Sequence, residues 1–186
     1  MSDLPPLPLR IRSARTADAP AIRMVATVTW TAAYKHLIAP ENIAAVLRKY
    51  YSVEHVTQSI SREDSAWFVA ELMMPPNLGK IIGYAHCGPY TAGGRDDFAL
   101  RSLYALPEYQ RKGIGTALWA QVIAWGRELH KSRMFVGVLT QNLPARRFYE
   151  QSGATISHEE KLPIGSQILP ETWYQLNLAE DNVDYL

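Results

Sequence analysis

Leu103-Tyr104-Ala105-Leu106-Pro107-Glu108-Tyr109-Gln110-Arg111-Lys112-Gly113-Ile114-Gly115-Thr116-Ala117-Leu118 decides the fold of this 186-residue chain. An apolar run ends at Pro107. Proline lacks an N–H and biases the residue before it towards extended geometry, so a strand stops here. A basic turn carrying Gly113 and Gly115 follows. Apolar residues then recur at Ile114, Leu118, Val122, Trp125 and Leu129, the spacing of a buried helix face. The reading is strand, glycine turn, helix.

Such a plan makes an anion site. The first turn of a helix has N–H groups without internal partners, and the macrodipole adds partial positive charge. Glycine lets a phosphate approach the backbone closely. Arg111 and Lys112 add full charges, so a diphosphate or similar polyanion suits the turn. The spacing is not that of a Walker A loop, and only Gly113-x-Gly115 of the dinucleotide fingerprint is present. On glycine spacing alone, an ordinary strand–helix turn with a solvated basic edge stays equally open.

Gln110-Arg111-Lys112-Gly113-Ile114-Gly115 resembles the Gln/Arg-x-x-Gly-x-Gly/Ala signature of the GNAT superfamily of N-acetyltransferases. A second stretch, Asn142-x-x-Ala145-x-x-Phe148-Tyr149-x-x-x-Gly153, is similar to that family's other signature. It departs once, with Ala154 where phenylalanine or tyrosine is usual. The matching segments run from about Trp67 to Gly153, and the amino-terminal strand and helix agree more loosely.

Around these motifs the chain reads as alternating elements. Leu9–Arg12 is a strand, and Thr16 or Asp18 caps a helix with Pro20 in its first turn. Ile22, Val25, Ala26 and Ala33 mark its buried face. Trp30 and Tyr34 lie one above the other on it, as core aromatics or as the border of an acceptor pocket. Pro40 opens a second helix, and Ser52 caps a short third one. Ala66–Glu71, Ile81–His86, Phe98–Leu106 and Met134–Leu139 are strands; further strands lie near Thr155–His158 and Thr172–Leu178. Asn142 caps the helix that Gly153 closes.

An apolar share of 47% and this length suit one core. The domain reading is a flexible segment 1–8, a single domain 9–180 and a tail 181–186. A net charge of +1 argues against a dedicated nucleic-acid binder. Cys87 is the only cysteine, so no intrachain disulfide forms, which fits a reducing compartment. Met1–Arg10 lacks the pattern of a signal peptide, and no run reaches the ~18 apolar residues of a membrane helix. The expectation is a cytoplasmic protein without membrane association.

The resemblance implies an α/β (α+β) fold: a mixed, twisted sheet of about seven strands flanked by helices, its fourth and fifth strands splayed. It implies acetyl-CoA as cosubstrate, no metal, and N-acetyl transfer to a primary amine by direct attack in a ternary complex. Backbone amides of Gln110, Arg111, Lys112, Gly113, Ile114, Gly115 and Thr116 would hold the pyrophosphate, with Asn142 also on the cofactor side. The backbone of Leu103 and Ala105 would pair with the pantetheine arm and polarise the carbonyl. Tyr149 would be the general acid towards the leaving sulfur.

The general base is open. Relatives often carry a glutamate where this chain has Ala99. Candidates are Asp97 (with its neighbour Asp96), Glu71 and His86, or a water relay; Asp96-Asp97 also reads as a solvated loop pair. Near-neutral charge and aromatic-bearing helices favour a small-molecule acceptor. The rivals are protein or peptide N-acetylation and a non-catalytic acyl-CoA-binding module. Self-association as a homodimer stays open.

Overall fold

The computed structural model describes residues 7–178. The expected tail 181–186, residues 179–180 and positions 1–6 lie outside the described residues. Positions 7–8 of the expected flexible segment are held: Leu7 packs against the core, and Pro8 O accepts a 2.9 Å bond from Met73 N.

Strand β1 (Leu9–Ser13) leads through a short 3-10 turn (Thr16–Asp18) into α1 (Ala19–Tyr34). Helices α2 (Pro40–Tyr50) and α3 (Val53–Ile60) follow. Strands β2 (Ala66–Leu72), β3 (Ile81–Pro89) and β4 (Asp97–Ala105) form an antiparallel meander. After β4 come α4 (Ile114–Glu128), β5 (Arg133–Leu139), α5 (Leu143–Gln151), β6 (Thr155–Ile164) and β7 (Gln167–Asn177). The seven strands make one mixed sheet in the order β1-β2-β3-β4-β5-β7-β6.

Local chemistry explains the element ends. Pro20 and Pro40 sit in the first turns of α1 and α2, where a missing N–H costs nothing. Ser52 Oγ accepts the His55 amide at 3.1 Å and starts α3. Asn142 Oδ1 does the same for Ala145 N at 3.3 Å in α5. Thr16 and Asp18 differ from the expected cap. Asp18 instead binds the Arg15 amide and the Arg12 guanidinium.

Helix α4 covers β1–β4 on one face, where the space above Gly83 is filled by Ile114. Its neighbour Tyr84 points the other way, into a cluster with Tyr51 and Trp67 under α1 and α3. On α4, Ile114, Leu118 and Val122 are buried as the spacing predicts, but Leu129 lies past the helix end and is exposed. Ala33 is exposed too, because its side of α1 lines a cleft rather than the core.

Gly126 on α4 is a point of close approach. A methyl group there would lie 2.7 Å from Phe98 Cε1 and 2.8 Å from Leu178 Cδ1. Alanine ordinarily favours a helix over glycine by about 1 kcal/mol, while overpacking costs about 1–3 kcal/mol. Gly126→Ala is therefore expected to lower stability by about 1–2 kcal/mol in urea denaturation; unchanged stability would show that α4 can move off the sheet.

The β6–β7 hairpin is longer than its sequence suggests. Glu159-Glu160-Lys161 and Pro163 interrupt any apolar alternation, yet β6 runs to Ile164. An edge strand tolerates both features, since its outer side faces water and needs no N–H donor.

Candidate active site

The parallel pairing of β4 and β5 is brief. Asp97, Phe98 and Ala99 pair with Arg133, Met134 and Phe135, and past Ala99 the two strands part. A bulge contributes on the other side of β4. His86 pairs with Ser102 and Cys87 with Leu100, so Arg101 has no partner on β3. Bulges bend a strand and increase its twist.

The register decides which backbone groups face the gap. Leu106 N donates to Ile82 O at 2.8 Å. In an antiparallel ladder bonded and non-bonded pairs alternate. Tyr104 and Ser102 thus exchange bonds with β3, while Leu103 and Ala105 turn their N–H and C=O groups towards the β4–β5 gap. Ala105 O already accepts Gln110 Nε2 at 3.1 Å.

That gap opens into a cleft of about 580 Å³. Leu103 and Ala105 form its floor, Gly113–Thr116 one rim, and Asn142 and Tyr149 the other. Arg111 and Gly113 adopt left-handed φ values of +58° and +83°, which fold the turn so that α4 starts at Ile114. Among the described residues no side chain caps α4, and its first amides have no protein partner. A Cβ built on Gly113 meets nothing within 4 Å. The rim is an open cradle of amides, which fits a polyanion such as the diphosphate of coenzyme A.

Lys112 does not reach this cleft. Its ammonium donates to Glu108 O at 3.1 Å and lies 5.4 Å from the centre of the Tyr109 ring. Only its backbone belongs to the turn, whereas Arg111 lines the cleft.

Tyr149 is buried against Trp119, with ring centres 5.5 Å apart. Burial first, and the neighbouring Tyr34 second, push its phenol well above the usual value. It is a permanent O–H at neutral pH. Tyr34 Oη lies 3.1 Å from Tyr104 Oη and accepts a long 3.5 Å contact from Asn142 Nδ2. The Trp30 ring packs 4.8 Å from Tyr34.

A second cavity, of about 570 Å³, lies between α2, α3, β4 and the β6–β7 hairpin. Trp30, Tyr51, Trp67 and His86 form its inner wall, and β4 contributes Arg101 and Ser102. Consecutive residues of β4 thus serve the two cavities, Arg101 and Ser102 the second and Leu103, Tyr104 and Ala105 the first. Tyr51 Oη and Ser102 Oγ are 2.8 Å apart. Among the described residues, the buried side-chain polar atoms without a partner are Trp30 Nε1 and Tyr84 Oη, both in this aromatic cluster. Unsatisfied polar groups are rare, and here they concentrate beside a cavity.

The structure separates the three candidate bases and gives each a physical obstacle. Asp97 sits where β4 and β5 are still paired, six residues before Leu103 and therefore ~20 Å along the strand. Burial opposes its ionisation, but Arg133 at 2.8 Å and the Gly94 amide outweigh it and hold the carboxyl below its usual range. Asp96 is exposed on the adjoining loop, as its solvated reading has it.

Glu71 is clamped on the β1 side of the sheet. Arg10 at 2.7 Å, opposed by burial and helped by Arg12 at 3.1 Å, keeps it ionised and weakly basic. It lines neither cavity.

His86 does line the second cavity, stacked on Trp67 at 4.0 Å. Burial, then the charges of Arg101, His55 and Arg62, push its pKa down to about 3. Such an imidazole stays neutral but is a poor base near pH 7. The unfolded chain binds this proton below about pH 6.5 and the folded protein only near 3, so stability falls as pH falls through that window. Between pH 6.5 and 5 the wild type is expected to lose about 2 kcal/mol more than His86→Gln, measured by urea denaturation. Parallel pH profiles would contradict the buried neutral imidazole.

Cys87 is fully buried, and burial pushes its thiol far above the usual range. It is no nucleophile. Sequence reasoning passed over Arg101, Ser102, Tyr51 and Tyr104, whose roles depend on the bulge and on helix placement. It also passed over Glu171, a buried carboxyl that desolvation raises to about 7. Glu171 bonds Trp173 Nε1 at 2.9 Å and lines neither cavity.

A family model described as "Acetyltransferase (GNAT) family" matches residues 30–154. The chain is 29% identical over 149 residues to an uncharacterized N-acetyltransferase of Mycobacterium tuberculosis, covering 80% of this chain and 90% of the relative. It is 27% identical over 184 residues to the L-amino acid N-acyltransferase MnaT of Escherichia coli, covering 92% and 95%. Among solved structures, the PaiA N-acetyltransferase of Thermoplasma acidophilum in complex with coenzyme A superposes with a TM-score of 0.72 at 23% identity, over 89% of this chain and 98% of that one.

Proposed function

Because the chain belongs to the acetyltransferase (GNAT) family and is an acyltransferase with acetyl-CoA as cosubstrate, we propose that it acetylates the primary amine of a small molecule within one ternary complex. The observation that carries this reading is that one strand, β4, lines two cavities, one rimmed by free amides and one walled by aromatic rings. Each has the size of a small-molecule site. The name of the Escherichia coli relative, an L-amino acid N-acyltransferase, supports a small acceptor.

When bound, acetyl-CoA supplies an activated acetyl thioester. The amides of residues 111–116 would hold its diphosphate, with Arg111 adding charge from the side; the Gln110 amide, expected to join them, is instead bonded to Pro107 O at 3.2 Å. Leu103 and Ala105 offer strand-edge groups to the pantetheine arm. A backbone N–H from this pair donates to the carbonyl oxygen, where preorganised donors help most as charge grows. Tyr149 points a donor towards the departing sulfur. Because its phenol is raised so far, it serves as a hydrogen-bond donor to the thiolate, and complete proton transfer is not required of it. Asn142 holds Tyr34 beside Tyr149 and fixes the start of α5.

The amine must lose a proton first. For an alkylammonium this costs about 4 kcal/mol at neutral pH. Apolar walls disfavour the charged form, and water carries the proton away from a cavity without a carboxylate in its lining. With Cys87 inert, no acyl-enzyme is needed.

The test is release of free CoA from acetyl-CoA across a panel of small amines, peptides with free amino termini, and protein substrates. Turnover confined to small amines supports the reading. Faster turnover of peptides or proteins would replace it, and acetyl-CoA binding without turnover of any amine would leave a non-catalytic acyl-CoA-binding module.

A further inference from the structure

The second cavity has an uneven charge. Its lining includes Lys49, His55 and Arg101, and no aspartate or glutamate among the described residues. A cationic amine entering it meets no counter-ion. Burial and like charge would both oppose an ammonium group there, and a polyamine would be worse placed still.

Among the described residues, Arg101 and Lys49 are not spent in ion pairs. Arg10, Arg12, Arg62 and Arg133 each hold a carboxylate. Among the described residues neither Arg101 nor Lys49 has such a partner. Arg101 Nη2 donates to Pro89 O at 2.6 Å, which steadies the guanidinium without neutralising it. Its position on the β4 bulge frees the residue from strand pairing, as bulges that re-aim a side chain do. Lys49 lies on α2, its ammonium 4.8 Å from the centre of the Tyr50 ring.

His86 on the inner wall has the Arg101 charge among its neighbours. The remaining wall, with Trp30, Val46, Tyr51 and Trp67, suits an apolar or aromatic body.

We infer that the acceptor is an amino acid, an amine whose molecule also carries a carboxylate, with the carboxylate held by Arg101 and Lys49 and an apolar side chain against the aromatic wall. This inference rests on the proposed acetyl transfer to a small amine and names its substrate class. The arrangement also serves the chemistry. The carboxylate balances the cations, so the molecule is drawn in, while the residual positive field and apolar surroundings favour the neutral amine that attacks. Guanidinium adds geometric selection, because its planar fork matches a carboxylate with two parallel bonds.

The experiment compares wild-type kcat/KM for L-phenylalanine, L-methionine and L-leucine with that for their amides, for 2-phenylethylamine and for spermidine. Acid and amide have nearly the same shape, and the amide's amine is the easier to deprotonate. Reactivity alone therefore favours the amide, and a preference for the acid reports recognition. The acids are expected to exceed their amides at least tenfold. Arg101→Gln lowers that ratio about tenfold by raising KM for the acids, Lys49→Gln lowers it less, and Arg101→Lys, which keeps the charge and loses the fork, falls between wild type and Arg101→Gln. Amides or spermidine turned over as well as the acids by the wild type would overturn the inference while leaving acetyl transfer standing. If no amine is turned over, tryptophan fluorescence of the CoA-bound protein, titrated with the same acids and amides, decides. Tighter binding of acids by tenfold upholds the carboxylate-binding pocket although the transfer reading fails, and equal or absent binding of the acids overturns it.

Discussion

Replacing Tyr149 by phenylalanine is expected to lower kcat about 10²-fold while leaving acetyl-CoA affinity nearly unchanged. The ring stays, so its packing on Trp119, Phe148 and Tyr174 stays. Only the hydroxyl goes. That hydroxyl belongs to a phenol raised far above its ordinary value by burial, so it is an O–H at every pH where the enzyme works. A thiol of pKa near 8.5 leaves readily as thiolate, and a hydrogen bond to it helps only as charge develops on sulfur. Loss of that bond therefore falls on kcat and not on binding. Saturating-amine kinetics with a calorimetric Kd for acetyl-CoA measure both terms. Undiminished turnover would remove Tyr149 from the mechanism, and a loss of affinity equal to the loss of rate would reassign it to cofactor binding.

The other large effect concerns Gly113. Gly113→Glu is expected to weaken acetyl-CoA binding by at least about 100-fold, or about 3 kcal/mol. Two causes add. At φ +83° a side chain costs about 1–2 kcal/mol, which the loop relieves by turning its amides away. A carboxylate at the start of α4 also occupies the positive end of the helix that the diphosphate needs. Open space around the position means the fold should survive. Gly113→Asn separates the causes, since asparagine tolerates left-handed geometry and brings no charge; it should lose tenfold or less. Equal affinities for wild type and Gly113→Glu would contradict the anion cradle.

What the sequence disclosed was local. Pro107, Gly113 and the apolar spacing of α4 mark the β4–α4 unit within a few residues of one another, and the structure places them so. Asn142, Pro144 and Gly153 bound α5 in the same way; Gly153 closes it at φ +87°. The expected splay of β4 from β5 appears as a ladder of three residue pairs. These features need only neighbours in the chain, or a family likeness carried by them.

The missed features are long-range. Glu71 looks like a free carboxylate in its strand, but Arg10, 61 residues earlier, claims it. Asp97 meets Arg133 across 36 residues. A partner so distant leaves no periodic trace, and it turns two candidate bases into structural ion pairs. The wall of the second cavity has the same character: Tyr51, Trp67, Ser102 and the β6–β7 hairpin converge from distant parts of the chain. The bulge that sets Arg101 free depends on pairing with β3, and nothing in the sequence around Arg101 announces it.

The direct measurement is a crystal structure with acetyl-CoA. The diphosphate should lie within hydrogen-bonding distance of main-chain amides from Arg111 to Thr116, with the pantetheine arm along Leu103 and Ala105. A diphosphate bound elsewhere, with those amides facing only water, would contradict the account.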